Sequence, residues 1–289
     1  MKVIIDFDGT LTAEEAQAAS LAEKSLHTLA NEIIGAPQQR LAADYYAAQA
    51  RLLAEPQRYW WEVNGLIASY CDEGAFILNT TTLQVMLRQN PAYHQAVTAA
   101  FSQVEYDAVV DCTNYLFHRH TAELPPQFRP AAREVLAALL ARSDREPFVL
   151  TNSLGDKVRR HLATLALDGQ IAVLGDTRQY EMRPDWPQCF HHPQLGAIQV
   201  WPVTTDRQID LRRPAYFRAL TQAAADGSAL AVVADTFSLP GALPLMMGIP
   251  FFLLRTSYTP EWCACVVAAH PLGHVLQDLA DLPAALDAL

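Results

Sequence analysis

The chain has 289 residues, 51% of them apolar, and a formal net charge of −10, enough for one large globular domain or a core carrying a substantial insertion. The acidic balance argues against a broad nucleic-acid footprint, which needs clustered Lys and Arg against phosphate backbones. No apolar run approaches the roughly 18 residues that span a bilayer, and the cysteines, Cys71, Cys112, Cys189, Cys263 and Cys265, are odd in number, scattered and without a signal-like leader, so the expectation is a soluble, cytoplasmic protein with reduced thiols.

The first element is a strand, VIIDF, whose apolar run ends in two carboxylates one residue apart, Asp6 and Asp8, within VIIDFDGTLT over residues 3–12. Paired acids at a strand end repel each other and resist desolvation, so a cation, a shared proton or phosphate chemistry has to compensate for them. After Thr12 the composition shifts to Ala, Leu, Glu and Gln at helical spacing, which predicts mostly helix to about residue 120, with breaks at Pro37, Pro56 and Pro91. The Tyr59-Trp60-Trp61 cluster reads as helix packing within this stretch, and Leu124-Pro125-Pro126 as its boundary.

From residue 128 the pattern alternates: a helix in PAAREVLAALLAR, a strand in FVLTNS, a helix from 156 to about 167, and a short strand in IAVLGD. Residues 176–213, interrupted by Pro184, Pro187, Pro193 and Pro202, suggest short strands and loops. A helix in PAYFRALTQAAADG ended by Gly227, a buried strand LAVVADT, a helix-like ALPLMMG and a strand FFLLRT follow. The predicted fold class is α/β, a Rossmann-like parallel sheet. Its first strand, in residues 1–12, is separated from the remainder, 126–289, by a helical insertion over 13–125.

In an open parallel sheet ligands bind beyond the carboxyl ends of the strands, which places Asp6 and Asp8 in that crevice. Gly9 permits a tight turn that offers N–H groups to an anion, and Thr10 supports it. One carboxylate can attack phosphorus while the other protonates the leaving oxygen and then activates water. A divalent cation would neutralise the acids together with the phosphoryl oxygens.

The stretch DFDGTLT resembles the first motif of the haloacid dehalogenase (HAD) superfamily, a hydrophobic strand followed by DxDGT. The resemblance implies a HAD-like core with an α-helical cap inserted at 13–125 that closes over the site and sets specificity. It also implies a Mg2+-dependent phosphatase acting on a small phosphorylated metabolite, because an acid at the position of Asp8 matches the phosphatase branch. On that basis Asp6 is the nucleophile that forms an aspartyl-phosphate and Asp8 the general acid and base, with Gly9 and Thr10 in the phosphate-binding turn.

FVLTNS resembles the second motif and implies that Thr151 and Asn152 face the phosphoryl oxygens. The only lysines are Lys2, Lys24 and Lys157. For the third motif's cation the choice falls on Arg213, in Arg212-Arg213-Pro214 ahead of the next strand. Lys157, close behind the second motif, reads as an ordinary helix residue. LAVVADTFSLPGALPLMMGIPFFLL resembles the fourth motif: Asp235 matches its first acid, Ala234 replaces a Gly, and Leu239 and Pro240 stand where a second acid is expected. The implied Mg2+ site is Asp6, the Asp8 main-chain carbonyl and Asp235, completed by water or Ser238.

Two further readings stay open. One is a HAD-fold binding or regulatory protein with reduced or lost catalysis, motivated by Ala234 and Pro240. The other is carbon–phosphorus cleavage through a Schiff base, for which Lys24 is the only lysine in the insertion. His191-His192, the His270 and His274 pair, and Cys263-Ala264-Cys265 read as packing or surface features rather than metal sites. Neither nucleic acid nor membrane is expected as a partner, and the oligomeric state is not legible.

Overall fold

The computed structural model describes residues 1–167, 169–186 and 199–289; Cys189 and the His191-His192 pair lie outside them. In chain order the strands and α-helices are β1 (Lys2–Ile5), α1 (Ala18–Thr28), α2 (Gln38–Ala54), β2 (Trp60–Val63), β3 (Leu66–Tyr70), α3 (Ala75–Gln89), α4 (Pro91–Ala100), α5 (Ala108–Thr121), α6 (Ala132–Leu140), β4 (Glu146–Leu150), α7 (Gly155–Ala163), β5 (Ala172–Leu174), β6 (Val200–Pro202), β7 (Gln208–Asp210), α8 (Pro214–Ala223), β8 (Leu230–Ala234), α9 (Ala242–Met246), β9 (Phe251–Leu254), α10 (Glu261–Ala269), β10 (Gly273–Leu276) and α11 (Leu282–Asp287). Contacts divide them into two compact units, Met1–Glu14 with Pro125–Leu289 and Glu15–Leu124.

In the first unit six parallel strands form one sheet in the order β10-β9-β8-β1-β4-β5. A parallel sheet is covered on both faces, which is why Val3, Ile4 and Ile5 are apolar in succession. Side chains alternate across it: Val3 and Ile5 pack with Leu136 and Leu139 of α6 and Val158 and Leu162 of α7, while Ile4 joins Tyr216, Ala219 and Leu220 of α8 on the opposite face. Residues 176–213 contain the antiparallel pair β6 and β7.

The register positions the chemistry. Ile5 pairs with Val149 on one side and Val233 on the other, so three neighbouring chains leave the sheet at one level. Asp6, Thr151 and Asp235 follow within a residue or two.

In the second unit five helices share a core that includes Leu26, Tyr45, Leu83, Met86, Val97 and Leu116. Asn90 accepts from the N–H groups of Ala92 and Tyr93 to start α4, with Pro91 in its first turn, and Asp107 does the same for α5 through Val109 and Val110. Here the structure corrects the sequence reading: Trp60 and Trp61 are not helical but open β2, which pairs antiparallel with β3. The turn is Asn64-Gly65, both with positive φ of 54° and 73°, the conformation a two-residue hairpin loop needs. No described helix is long and apolar enough to cross a membrane.

Leu136 is fully buried under the sheet. Leu136→Ala is expected to lower the unfolding free energy by about 2–5 kcal/mol in urea titrations, and a cost under about 1 kcal/mol would mean that α6 does not anchor the sheet.

Candidate active site

Beyond β1 the backbone turns on itself. Leu11 and Thr12 donate their N–H groups to the Phe7 carbonyl at 3.0 and 3.1 Å, and Phe7 N–H donates to Asp6 Oδ1 at 2.8 Å. Gly9 has φ of +79°, which favours glycine, and space demands glycine as well, since a Cβ there would lie 2.1 Å from Asp235 Oδ2. Arg129 Nε donates to the Gly9 carbonyl at 2.9 Å and holds the turn from outside. Thr10 Oγ1 donates to Asp235 Oδ1 at 3.1 Å and accepts the Asp235 N–H at 3.0 Å. Thr10, assigned to phosphate from the sequence, thus spends its hydroxyl on Asp235.

The two acids of the motif meet different neighbours. Burial, the charge of Asp235 and then that of Asp8 push the Asp6 carboxyl well above the usual carboxylate range, while the Phe7 N–H and the Thr151 hydroxyl, both donating to it, act the other way. Asp8 instead meets a cation: Lys157 Nζ lies 3.1 Å from Asp8 Oδ1 and 2.9 Å from Ser153 Oγ. The Ser153 hydroxyl in turn donates to Asp8 Oδ2, and Ser153 N–H donates to Thr151 Oγ1 at 3.2 Å. Asn152 uses its Oδ1 to accept the Gln179 N–H at 2.7 Å.

The cation assignment is therefore corrected. Arg213 is fully buried, with Nε donating to the Asp210 carbonyl at 2.9 Å and Nη1 to the Gln179 carbonyl at 2.6 Å. The cation placed beside the DxDGT turn is Lys157, on Asp8. Because β1 and β4 are parallel neighbours, the first turn of α7 begins beside the Asp8 turn, so closeness to Thr151 in sequence is what delivers Lys157. Its position six residues after Thr151, in a chain with so few lysines, is the available clue. Ser153 and Arg129 escape a sequence reading because a serine and an arginine carry no spacing signature. Lys24 pairs with Glu123 at 2.9 Å on an exposed face.

Among the described residues no group of three or more His, Cys, Asp or Glu side chains is placed to hold a metal ion. The site offers two neighbouring carboxylates, Asp6 and Asp235, the latter 3% exposed. Hard oxygen donors of like charge suit a divalent cation that keeps several waters, so this donor set fits Mg2+. At the expected second acid, Leu239 is buried, and the Pro240 carbonyl accepts the Tyr216 hydroxyl at 2.8 Å.

No family model and no curated protein sequence matches the chain. In three dimensions it is similar to the magnesium-bound HAD-hydrolase YfnB of Bacillus subtilis, with a TM-score of 0.52 at 13% identity over 99% of this chain and 98% of that one. It is also similar to the haloacid dehalogenase-like hydrolase SP0104 of Streptococcus pneumoniae, with a TM-score of 0.51 at 9% identity over 99% and 97% of the two chains. The fold is that of the HAD-superfamily hydrolases, a six-stranded parallel sheet with flanking helices.

Gly9→Ala is expected to cost about 1–3 kcal/mol in strain alone, with the Asp235 collision added. Gly227→Ala, at φ +82° with nothing within 4 Å of the new methyl, carries only the strain. Equal losses in thermal unfolding would show that Asp235 does not pack on Gly9.

Proposed function

We propose that the protein is a Mg2+-dependent phosphatase that acts on a small phosphorylated metabolite through an aspartyl-phosphate. The observation that supports it most directly is the division of labour on one turn: Asp6 stands beside Asp235 and Thr151, and Asp8 stands beside Lys157 and Ser153. Carboxylates placed in contrasting environments are suited to different roles in one reaction, and a divalent cation held by Asp6 and Asp235 would offset the burial and the Asp235 charge that raise the proton affinity of Asp6, leaving its carboxylate able to attack.

An Asp6 carboxylate oxygen attacks phosphorus, and the bond from phosphorus to the leaving oxygen breaks as the carboxyl proton of Asp8 passes to that oxygen. Water then attacks the acyl phosphate, Asp8 takes its proton, the bond from phosphorus to the Asp6 oxygen breaks, and the Asp6 carboxylate is restored. Lys157 is the donor for phosphoryl oxygens, and the Thr151 hydroxyl, which donates to Asp6, positions the nucleophile. Asp6, the Asp8 carbonyl and Asp235 would hold Mg2+, which supplies charge neutralisation for the phosphoryl group and the acids. The turn made by Gly9 keeps Asp235 against it.

A second reading, a binding protein with lost turnover, is favoured by one observation, the apolar Leu239 where another acid is expected. Phosphate release from an aryl phosphate separates the two. Release that needs Mg2+, stops with chelator and is abolished in Asp6→Asn supports the phosphatase. Absence of release from a panel of phosphate monoesters by folded protein supports the binding protein.

Lys157→Met is expected to lower kcat/KM by about 10²–10³-fold, whereas Lys24→Met leaves it unchanged. Equal effects of the two substitutions would remove Lys157 from the site.

A further inference from the structure

Three buried polar atoms in one loop have no hydrogen-bond partner: both ends of the Gln179 carboxamide, Nε2 and Oε1, and the Thr177 hydroxyl. Gln179 is 1% exposed and Thr177 6%. Buried polar groups in folded proteins are nearly always bonded, because leaving one unmade costs its full desolvation. Three such atoms two residues apart in a single loop are a concentration that the fold itself does not repay.

The loop follows β5 and is pinned to the strand end that carries the site. Asp176 N–H donates to the Ser153 carbonyl at 2.9 Å, and Thr177 N–H to the Thr151 carbonyl at 3.1 Å. Gln179 N–H reaches Asn152 Oδ1 at 2.7 Å, and the Gln179 carbonyl accepts from Arg213 at 2.6 Å. Gly175 lies so close to the start of α7 that a Cβ there would be 2.3 Å from Gly155 N. Asp176 and Arg178, flanking Thr177, hold left-handed φ values of 52° and 46°, a conformation that non-glycine residues adopt at a cost and that clusters at ligand-binding positions. The loop is one hydrogen bond from Thr151, whose hydroxyl bonds Asp6.

We propose that Gln179 and Thr177 form a subsite for a hydroxyl group on the substrate's leaving group, which narrows the substrate to phosphate monoesters of a polyol or sugar. The chemistry of the free atoms selects the ligand. A carboxamide presents a donor and an acceptor side by side, and a hydroxyl answers both. A phosphoryl dianion or a carboxylate only accepts, which would leave Oε1 facing another bare oxygen. An ammonium only donates, which would leave Nε2 unanswered. The arrangement matches sites in which buried groups left unpaired reject analogues that lack a hydroxyl. This inference rests on the phosphatase reading for the role of the phosphoryl group.

Calorimetric binding of glycerol phosphate and of propyl phosphate, which differ in hydroxyls alone, tests it in Asp6→Asn protein with Mg2+, where turnover does not interfere. Glycerol phosphate is expected to bind at least about tenfold more tightly. Gln179→Leu in that background should erase the preference, hold propyl phosphate affinity and leave thermal stability equal or higher, because an unpaired polar group has been removed. Thr177→Val should reduce the preference in the same sense, which keeps the test available if Gln179→Leu folds poorly. A preference that survives both substitutions, absence of any preference, or no binding of either ligand overturns the subsite. A Gln179→Leu protein with lowered stability and intact preference also overturns it, by showing a partner inside the fold. Failure of wild-type phosphate release would sink the phosphatase reading by a separate measurement.

Discussion

Gly9 and Asp235 share a space too small for a side chain on the glycine, and the site is built around that contact. Three parallel strands, β4, β1 and β8, stop at one level, so the residues after them are forced together whatever their charge. Two of those chain ends carry acids. They can approach only because Gly9 adopts a left-handed φ with no Cβ, and they stay in register because the Thr10 hydroxyl both donates to and accepts from Asp235. Arg129 steadies the same turn through the Gly9 carbonyl. The elevated proton affinity of Asp6 follows from this crowding, since burial is its first cause and Asp235 its second.

The cations are divided between chemistry and architecture. Lys157, a compact ammonium on the first turn of α7, meets Asp8 and Ser153. Arg213 spreads its guanidinium over two main-chain carbonyls, of Asp210 and Gln179, and so joins the segment before α8 to the loop after β5. A planar fork with several fixed donors suits that bracing role, and a point charge on a flexible stem suits a mobile anion.

Much of the core is legible in the sequence because its signals are local. VIIDF, LAVVADT and FFLLRT are continuous apolar runs of strand length, and helices such as α6 and α8 carry their own periodicity and, for α8, a proline in the first turn. The DxDGT string stands out because neighbouring acids at the end of a buried strand repel each other and lose hydration, a cost that a bound cation or phosphate chemistry offsets. The hairpin β2–β3 is hidden although Asn64-Gly65 marks it, since the surrounding helical composition outweighs a two-residue turn. Between Lys157 and Arg213 the sequence points to the wrong residue, because spacing along the chain does not report which side chain a neighbouring strand brings near.

By itself the sequence determined the parallel α/β core, the acid pair and the glycine turn beside them, because each depends on residues within a few positions of one another. Only the tertiary structure decided that Lys157 faces Asp8, that Asp235 closes on Gly9, and that Gln179 and Thr177 are buried without side-chain partners beside Thr151. Those depend on strand order and register, which set distances between segments more than a hundred residues apart in sequence for the first two. Local propensity carries no information at that range; hydrogen-bonded pairing of β1 with β4 and β8 supplies it.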